Sequence, residues 1–202
     1  MGSILILFAH PVFEKSRVHK ILVNTVRDMP GVTFHDLYEA YPDFDIDVDK
    51  EQDLLTKHDI IIFQHPFYWY SCPAILKQWQ DLVLEHGWAY GRGGSALGGK
   101  SLFNAITAGG REDVYHLAGY NRFTIRELLS PFDQMTTLCR MNYLPPFVVH
   151  DTHRLNEHQI ELYAIQYKQI LLGFVNKTIS TAEVAAVKYL NELAPLPEAL
   201  KA

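Results

Sequence analysis

The stretch from residue 60 to residue 91 reads IIIFQHPFYWYSCPAILKQWQDLVLEHGWAYG. Its short apolar run, residues 60–63, is typical of a buried strand, and four consecutive aromatics at 67–70 lead through Pro73 into a helical pattern. This order places the aromatic loop at the carboxyl end of a strand, where open α/β folds bind ligands. Four aromatics suit a flat, conjugated ring better than a phosphate or a metal, although they are also typical of plain core packing.

The length and composition predict that the chain folds as a single globular domain over residues 1–202. The 202 residues are 48% hydrophobic and 20% charged, and the formal net charge of -5 gives no nucleic-acid footprint. Cys72 and Cys139 form no disulfide framework or zinc spacing and fit a reducing, cytosolic compartment. Ten histidines without ligand spacing predict no catalytic metal. We expect Ile4 to Ala9 to be a strand, not a signal peptide, and no apolar run is long enough for a membrane span.

Strand and helix patterns alternate along the whole chain. Strands are predicted at 4–9, 32–37, 59–64, 101–107 and 147–150, and helices after Ser16 and at 50–57, 74–86, 123–129, 131–138, 156–174 and 180–193. This alternation predicts an α/β three-layer sandwich whose five parallel strands have the order 2-1-3-4-5. The helix at 74–86 is expected to bury one stripe of side chains, namely Ile75, Trp79, Leu82, Val83 and His86.

Three loops of this sheet have unusual sequences at the edge where ligands bind. The first runs from His10 to Ser16, which is a good N-cap, and the free N–H groups of a helix N-terminus bind phosphate, with Arg17 or His19 adding charge. The second is the aromatic loop, and the third is the segment 107–110, whose two glycines allow close backbone approach. An ordinary capped helix and a plain turn are the alternatives for the first and third.

Several other enzyme classes are disfavoured because their motifs are absent. The chain has no GxxxxGK[ST] and no GxGxxG, which weighs against nucleotide hydrolases and Rossmann dehydrogenases. It has no GxSxG nucleophile elbow, and Cys72 beside Pro73 is interpreted as a small buried residue, not a nucleophile.

The motifs together resemble one family of flavoproteins. They are AHP after the first strand, LYxxYPDFxID at 37–47, QHPxYWYSCPAxLKxWxDxVLxxGWAYG at 64–91 and LPPF at 144–147. With them the chain resembles the NAD(P)H:quinone oxidoreductase family of flavodoxin-like proteins. The similarity is greatest to the bacterial branch with general stress protein 14 and the ancillary flavoproteins of glutathione-gated potassium efflux systems.

The resemblance implies a set of flavin-binding residues. His10, Ser16, Arg17, Val18 and His19 would hold the flavin phosphate, Phe67, Tyr68, Trp69 and Tyr70 would hold the isoalloxazine, and Thr107, Ala108, Gly109 and Gly110 would lie on the other side of the ring. His19 and Ala108 depart from the usual asparagine and threonine, so only a backbone contact is expected from Ala108. Tyr115 occupies the position of a tyrosine that assists hydride transfer. Asn121 stands where its histidine partner would be, so that His116 or water would take its place.

The resemblance also implies an activity, partners and a location. The expected reaction is two-electron reduction of quinones by NAD(P)H, in a ping-pong scheme with FMN preferred to FAD. The protein would be a cytoplasmic homodimer, with Tyr38, Tyr41 and Tyr90 as interface candidates. The alternative is a regulatory subunit of a membrane potassium antiporter at the inner face of the membrane, and LYEAYPDFDID would then contact the antiporter unless it is a structural loop. A flavodoxin-type electron carrier is disfavoured by the modest net charge.

Overall fold

Parallel strands form one sheet in residues 2–195, the part of the chain that the computed structural model describes. The strands are β1 (Ile4–Phe8), β2 (Val32–Asp36), β3 (Ile60–Pro66), β4 (Ser101–Thr107), β5 (Asn142–Tyr143) and β6 (Phe147–Val149). Their order is β2-β1-β3-β4-β5, and β6 pairs with the second half of β4. The predicted order 2-1-3-4-5 is therefore confirmed, with its fifth position divided between two short strands.

Helices cover both faces of this sheet. They are α1 (Arg17–Val26), α2 (Leu37–Ala40), α3 (Val48–Lys57), α4 (Ala74–Val83), α5 (Ile125–Leu128), α6 (Ser130–Leu138), α7 (Glu157–Val175) and α8 (Thr181–Ala185). One apolar core joins α1 and α7 to the sheet, and the other joins α3, α4 and α6 to its opposite face. Asn156 and Ser180 cap the N-termini of α7 and α8, each in a capping box with the residue three positions later. No helix within residues 2–195 is long and apolar enough to cross a membrane.

The buried stripe of α4 differs from the prediction. The helix ends at Val83, so His86 lies beyond it and is exposed, and Leu82 is 42% exposed. Leu76 is buried instead. The positions 75, 76, 79 and 83 also lie on one face of a helix, and this face is turned from the predicted one toward Leu76, so that Leu82 lies outside it.

The last predicted helix, 180–193, is interrupted. Only α8 and a short 3₁₀ turn from Leu190 to Leu193 form. The N–H of Leu190 donates to the carbonyl oxygen of Pro146 at 3.0 Å. The Asn191 side chain bonds both the N–H and the carbonyl oxygen of Val148 in β6. These bonds hold the chain against the edge of the sheet in a conformation that a continuous helix cannot adopt.

The segment LYEAYPDFDID forms a buried anchor. Its Tyr41 is only 6% exposed, which makes the predicted role of Tyr41 at a subunit interface wrong. The Tyr41 hydroxyl donates to Oε1 of Glu51 at 2.5 Å, and Trp79 Nε1 donates to Oε2 at 2.8 Å. His35 Nε2 lies 2.7 Å from the same Oε1. The segment thus joins β2, α3 and α4 through one fully buried carboxylate, which favours the structural interpretation of this motif.

Candidate functional site

The first loop delivers a helix N-terminus to the carboxyl edge of the sheet. Ser16 caps α1 by accepting from the backbone N–H of His19 at 3.2 Å. The backbone N–H groups of Arg17 and Val18 belong to the first turn and have no partner within the helix. The Arg17 guanidinium is exposed and donates to the carbonyl oxygen of Leu155 at 2.9 Å. The Ser16 cap, the two backbone donors and the guanidinium therefore lie together at the N-terminus of α1, where an anion is favoured.

His19 points inward and does not supply the positive charge that the sequence suggested. Its side chain is buried, with Nε2 lying 3.0 Å from the Thr107 hydroxyl and Nδ1 lying 3.5 Å from the Gln64 amide. Burial, with smaller effects from His10 and His65, lowers the pKa of His19 well below its ordinary value, so the ring is neutral near pH 7. The His19 side chain therefore connects the segment after the first loop to the end of β4.

Gln64 and Tyr167 extend the buried contacts of His19, and the sequence analysis did not identify either residue. The Tyr167 hydroxyl, fully buried on α7, donates to the Gln64 side-chain oxygen at 3.2 Å. The chain of contacts therefore runs Tyr167–Gln64–His19–Thr107 beneath the loops. A polar residue at the end of an apolar strand was the available signal, because a buried amide needs partners.

The aromatic loop has an unusual backbone. Trp69 and Tyr70 have φ angles of 50° and 61°, a left-handed conformation that aromatic residues rarely adopt. Trp69 is 92% exposed, whereas Phe67 is buried and its N–H donates to the carbonyl oxygen of Thr107 at 2.9 Å. The Tyr68 ring lies 6.1 Å from that of His10. The first and second loops therefore meet, and the large Trp69 side chain is exposed beside their contact.

The third loop is closely packed. An ideal Cβ on Gly109 would lie 2.8 Å from Nε2 of His153, and one on Gly110 would lie 3.0 Å from the Tyr115 hydroxyl, so a side chain at either position would require its neighbour to move. The backbone N–H of Ala108 donates to Val149 at 2.8 Å, and its carbonyl oxygen accepts from Thr152. Both backbone groups of Ala108 are thus used inside the protein, so its expected contact with a flavin has no free donor.

Tyr115 lies at this site and its two candidate partners do not assist it. Tyr115 is 6% exposed, and its ring centroid lies 6.3 Å from that of Phe67. The side-chain oxygen of Asn121 accepts from the Tyr70 hydroxyl at 3.1 Å, which links the aromatic loop to the segment after Tyr115. His116 is exposed and its Nδ1 accepts from the N–H of Ala118. Neither residue takes the place of a histidine behind Tyr115.

An exposed apolar surface borders the site, and we call it the aromatic rim. It comprises Tyr68, Trp69, Tyr70, Leu117, Tyr120 and Phe123, of which Leu117 and Tyr120 are 87% and 89% exposed. Large exposed apolar surfaces are typical of binding sites. The predicted interface residues Tyr38 and Tyr90 are only partly exposed and pack against the core.

Loops from β1, β3 and β4, a helix N-terminus and a flat aromatic face define a site of the flavodoxin-like class. A family described as flavodoxin-like fold matches residues 2–171, and the chain belongs to this family. The ancillary protein KefG of the glutathione-regulated potassium-efflux system of Pectobacterium atrosepticum is 46% identical over 169 residues, which cover 84% of this chain and 92% of that protein.

Two solved structures share both the fold and much of the sequence. General stress protein 14 of Treponema denticola, in complex with FMN, is 37% identical with a TM-score of 0.81, covering 88% of this chain and 100% of that chain. An NADPH-quinone reductase from P. pentosaceus is 34% identical with a TM-score of 0.75, covering 83% of this chain and 96% of that chain. The resemblance drawn from the motifs is confirmed.

Trp69 offers a clean test of the aromatic loop because its side chain is 92% exposed and contributes little to the core. We expect Trp69→Ala to weaken flavin retention by about tenfold, the loss of one stacking contact, with little change in thermal stability. Cys72→Ala, in the same loop but facing α4 and α6, is the matched control and should retain flavin. Dialysis followed by flavin absorbance measures both. Equal retention would show that Trp69 does not contact the ring.

Proposed function

We propose that the protein binds one FMN per subunit and catalyses two-electron reduction of quinones by NAD(P)H. The observation that carries the proposal is the convergence of the three loops on one edge of the sheet, joined by the His19–Thr107 and Phe67–Thr107 contacts. The FMN complex of general stress protein 14 and the NADPH-quinone reductase support it.

The residues at this edge fit FMN. The first-turn N–H groups of Arg17 and Val18 suit its phosphate, with the exposed Arg17 guanidinium beside them. The rings of the aromatic loop suit the flat isoalloxazine, and Gly109 and Gly110 leave no side chain between β4 and the ring. When bound, the flavin would supply the hydride and electron chemistry, which no side chain can supply.

The chain's own residues would orient the reactants and manage the proton. The neutral His19 would hold the first loop and Thr107 in fixed relation. Trp69 and the neighbouring aromatic rings would exclude water from one side of the site. Burial and the nearby Tyr70 phenol raise the pKa of Tyr115 and outweigh the opposite effect of the Gly110 backbone, so Tyr115 remains a neutral O–H donor at neutral pH. It would donate to the quinone oxygen as negative charge develops there.

A spectrum of the purified protein tests the binding half of this proposal. We expect flavin absorbance that bleaches on anaerobic addition of NADH or NADPH and returns on addition of a quinone. Mass analysis of the released cofactor should give FMN, not FAD. A colourless protein that also fails to take up either flavin would contradict the proposal.

Homodimerisation is part of the same proposal. The aromatic rim is the surface that we assign to the partner subunit, because it is apolar, exposed and borders the site. A second copy placed there would complete each pocket from outside. Sedimentation of the wild type and of a Leu117→Glu, Tyr120→Glu double variant distinguishes the dimer from a monomer.

A second candidate is a regulatory role at the membrane, favoured by the 46% identity to KefG. In this case the protein would bind a potassium-efflux antiporter from the cytoplasmic side, with or without its own redox activity. Potassium efflux measured with the antiporter alone and with the co-expressed protein tests this role. Unchanged efflux would contradict the regulatory role and leave only the proposal that the protein is a quinone reductase.

A further inference from the structure

A second cavity lies at the edge of the sheet opposite the candidate functional site, and we call it the amino-edge cavity. Its volume is about 630 Å³, and it borders the amino ends of β3 and β4 at Ile60 and Ser101, next to the segment that joins α7 to α8. Because β4 runs from Ser101 to Thr107, about 20 Å of strand separates this cavity from the loop after β4. A molecule in the amino-edge cavity would therefore not touch the three loops of the candidate site.

The walls of the amino-edge cavity are mostly apolar, and contacts inside the protein hold them in place. The Phe174 ring lies 5.9 Å from the ring of Phe103 in β4, and the Tyr143 hydroxyl donates to Oδ1 of Asn104 at 2.6 Å. Other apolar residues of the lining are Ile60, Leu144, Pro145, Ile179 and Val184. A preformed apolar cavity of this size is typical of sites for small molecules.

The segment between α7 and α8 forms one wall because of two special backbone positions. An ideal Cβ on Gly173 would lie 2.4 Å from Cδ1 of Ile179, so a larger residue would require Ile179 to move. Lys177 has a φ angle of 57°, a left-handed conformation after a helix C-terminus where glycine is usual. The chain thus has a lysine at a strained position, and this lysine lines the cavity.

The charged residues of the lining are Arg126, Lys177 and Asp59, so its formal charge is positive although the whole chain carries -5. The Asp59 carboxylate accepts from the N–H and the hydroxyl of Ser3, both at 3.1 Å. The Ser3 N–H is the main cause of a lowered Asp59 pKa, and Lys177 contributes to it. Within residues 2–195, the salt bridges do not include Arg126. Its guanidinium is therefore the cation of this lining that an anionic ligand can use.

We propose that the amino-edge cavity binds a hydrophobic carboxylate. The apolar part of this ligand would lie between Leu144, Phe174 and Val184, and its carboxylate would pair with the Arg126 guanidinium, whose fork of N–H donors suits a carboxylate. A small inorganic anion would leave the apolar walls unused, and a neutral hydrocarbon would leave the guanidinium without a partner. This site is separate from the proposed quinone reduction and does not depend on it.

Calorimetric titration of the wild-type protein tests the proposal with three probes. We expect octanoate or 1-naphthoate to bind at one site per chain. 1-Octanol, which has the same chain as octanoate and no charge, should bind about tenfold more weakly than octanoate, as for one lost charge-assisted contact. The carboxylate that binds more tightly identifies the apolar part of the ligand as a chain or a ring.

Three variants locate the site. Arg126→Gln should weaken carboxylate binding about tenfold and leave 1-octanol binding unchanged. Ala185 is exposed and lines the cavity, so Ala185→Trp should fill the cavity with its indole and abolish binding without a change in the core. Arg92 is an exposed arginine outside the lining, and Arg92→Gln is the matched control that should bind as the wild type does.

Four results would each overturn the proposal. They are no binding of either carboxylate by the wild type, equal affinity for octanoate and 1-octanol, unchanged carboxylate affinity in Arg126→Gln, and unchanged affinity in Ala185→Trp. Circular dichroism of each variant verifies that it is folded. Because no probe depends on flavin, these results are distinct from a failure of the proposed quinone reduction.

Discussion

Glu51→Ala is expected to lower the free energy of unfolding by about 3–5 kcal/mol, a value typical of breaking a buried, charge-assisted network. The Glu51 side chain is fully buried and contacts Tyr41, Trp79 and His35 at 2.5 to 2.8 Å. Removing it leaves these polar groups without their partner in the interior and opens a cavity between α3 and α4. Chemical denaturation followed by tryptophan fluorescence measures the loss.

Glu51→Gln is the matched control. Its amide oxygen can accept from Trp79, which only donates, while its NH₂ can donate to Tyr41 and to the other tautomer of His35. The cost should therefore be about 1 kcal/mol. A cost for Glu51→Gln as large as that for Glu51→Ala would show that the charge itself is required.

The pH dependence of stability gives an independent measure of the same carboxylate. Burial alone would raise the pKa of Glu51, but the hydrogen bonds from His35, Tyr41 and Trp79 outweigh it, and the pKa lies below 4.5. A lowered folded-state pKa stabilises the native state at pH values above the unfolded value, and this stabilisation is lost as the pH falls through the folded value. Wild type should therefore lose more stability below about pH 4.5 than Glu51→Gln does.

The order of the sheet could be predicted because local patterns were strong. Apolar runs predicted β1 and β3. Helical spacing of apolar residues predicted α1 and α7, and the N-cap residues Ser16 and Asn156 marked where these helices begin. The C-terminal segment could not be predicted in this way. Its sequence favours a helix from Ser180, but bonds from Leu190 and Asn191 to residues more than 40 positions away hold it against the sheet. Tertiary contacts overrode local preference there.

The positions of the three loops of the candidate site could be predicted from the sequence, but the buried side chains that hold these loops in place could not. Because carboxyl ends of neighbouring parallel strands meet, the sequence placed the segments at 10–19, 67–70 and 107–110 together. It did not predict that His19 turns inward or that both backbone groups of Ala108 are already bonded. Side-chain direction depends on packing partners that lie far away in the sequence, such as Tyr167 for Gln64 and Tyr189 for His150.

Tyr115→Phe is expected to slow quinone reduction by roughly ten- to a hundredfold while flavin binding is unchanged. The hydroxyl is the part of Tyr115 that the substitution removes. The substitution retains the ring, whose centroid lies 6.3 Å from the ring centroid of Phe67 and 5.7 Å from that of His150. Tyr115 is 6% exposed and neutral, so the lost group is one hydrogen-bond donor placed at the site. Stopped-flow measurement of the oxidative half-reaction gives the rate, and reduction by NAD(P)H should be unaffected.

The comparison with Tyr70→Phe separates chemistry from loop structure. Tyr70 also lies at the site, but its hydroxyl donates to Asn121 at 3.1 Å and holds the aromatic loop. We expect Tyr70→Phe to weaken flavin retention and to leave the quinone rate of the flavin-loaded protein within a factor of about three, as for one neutral surface hydrogen bond. If Tyr115→Phe and wild type reduce quinones at indistinguishable rates, Tyr115 is only a wall of the pocket. The proton must then reach the acceptor directly from water.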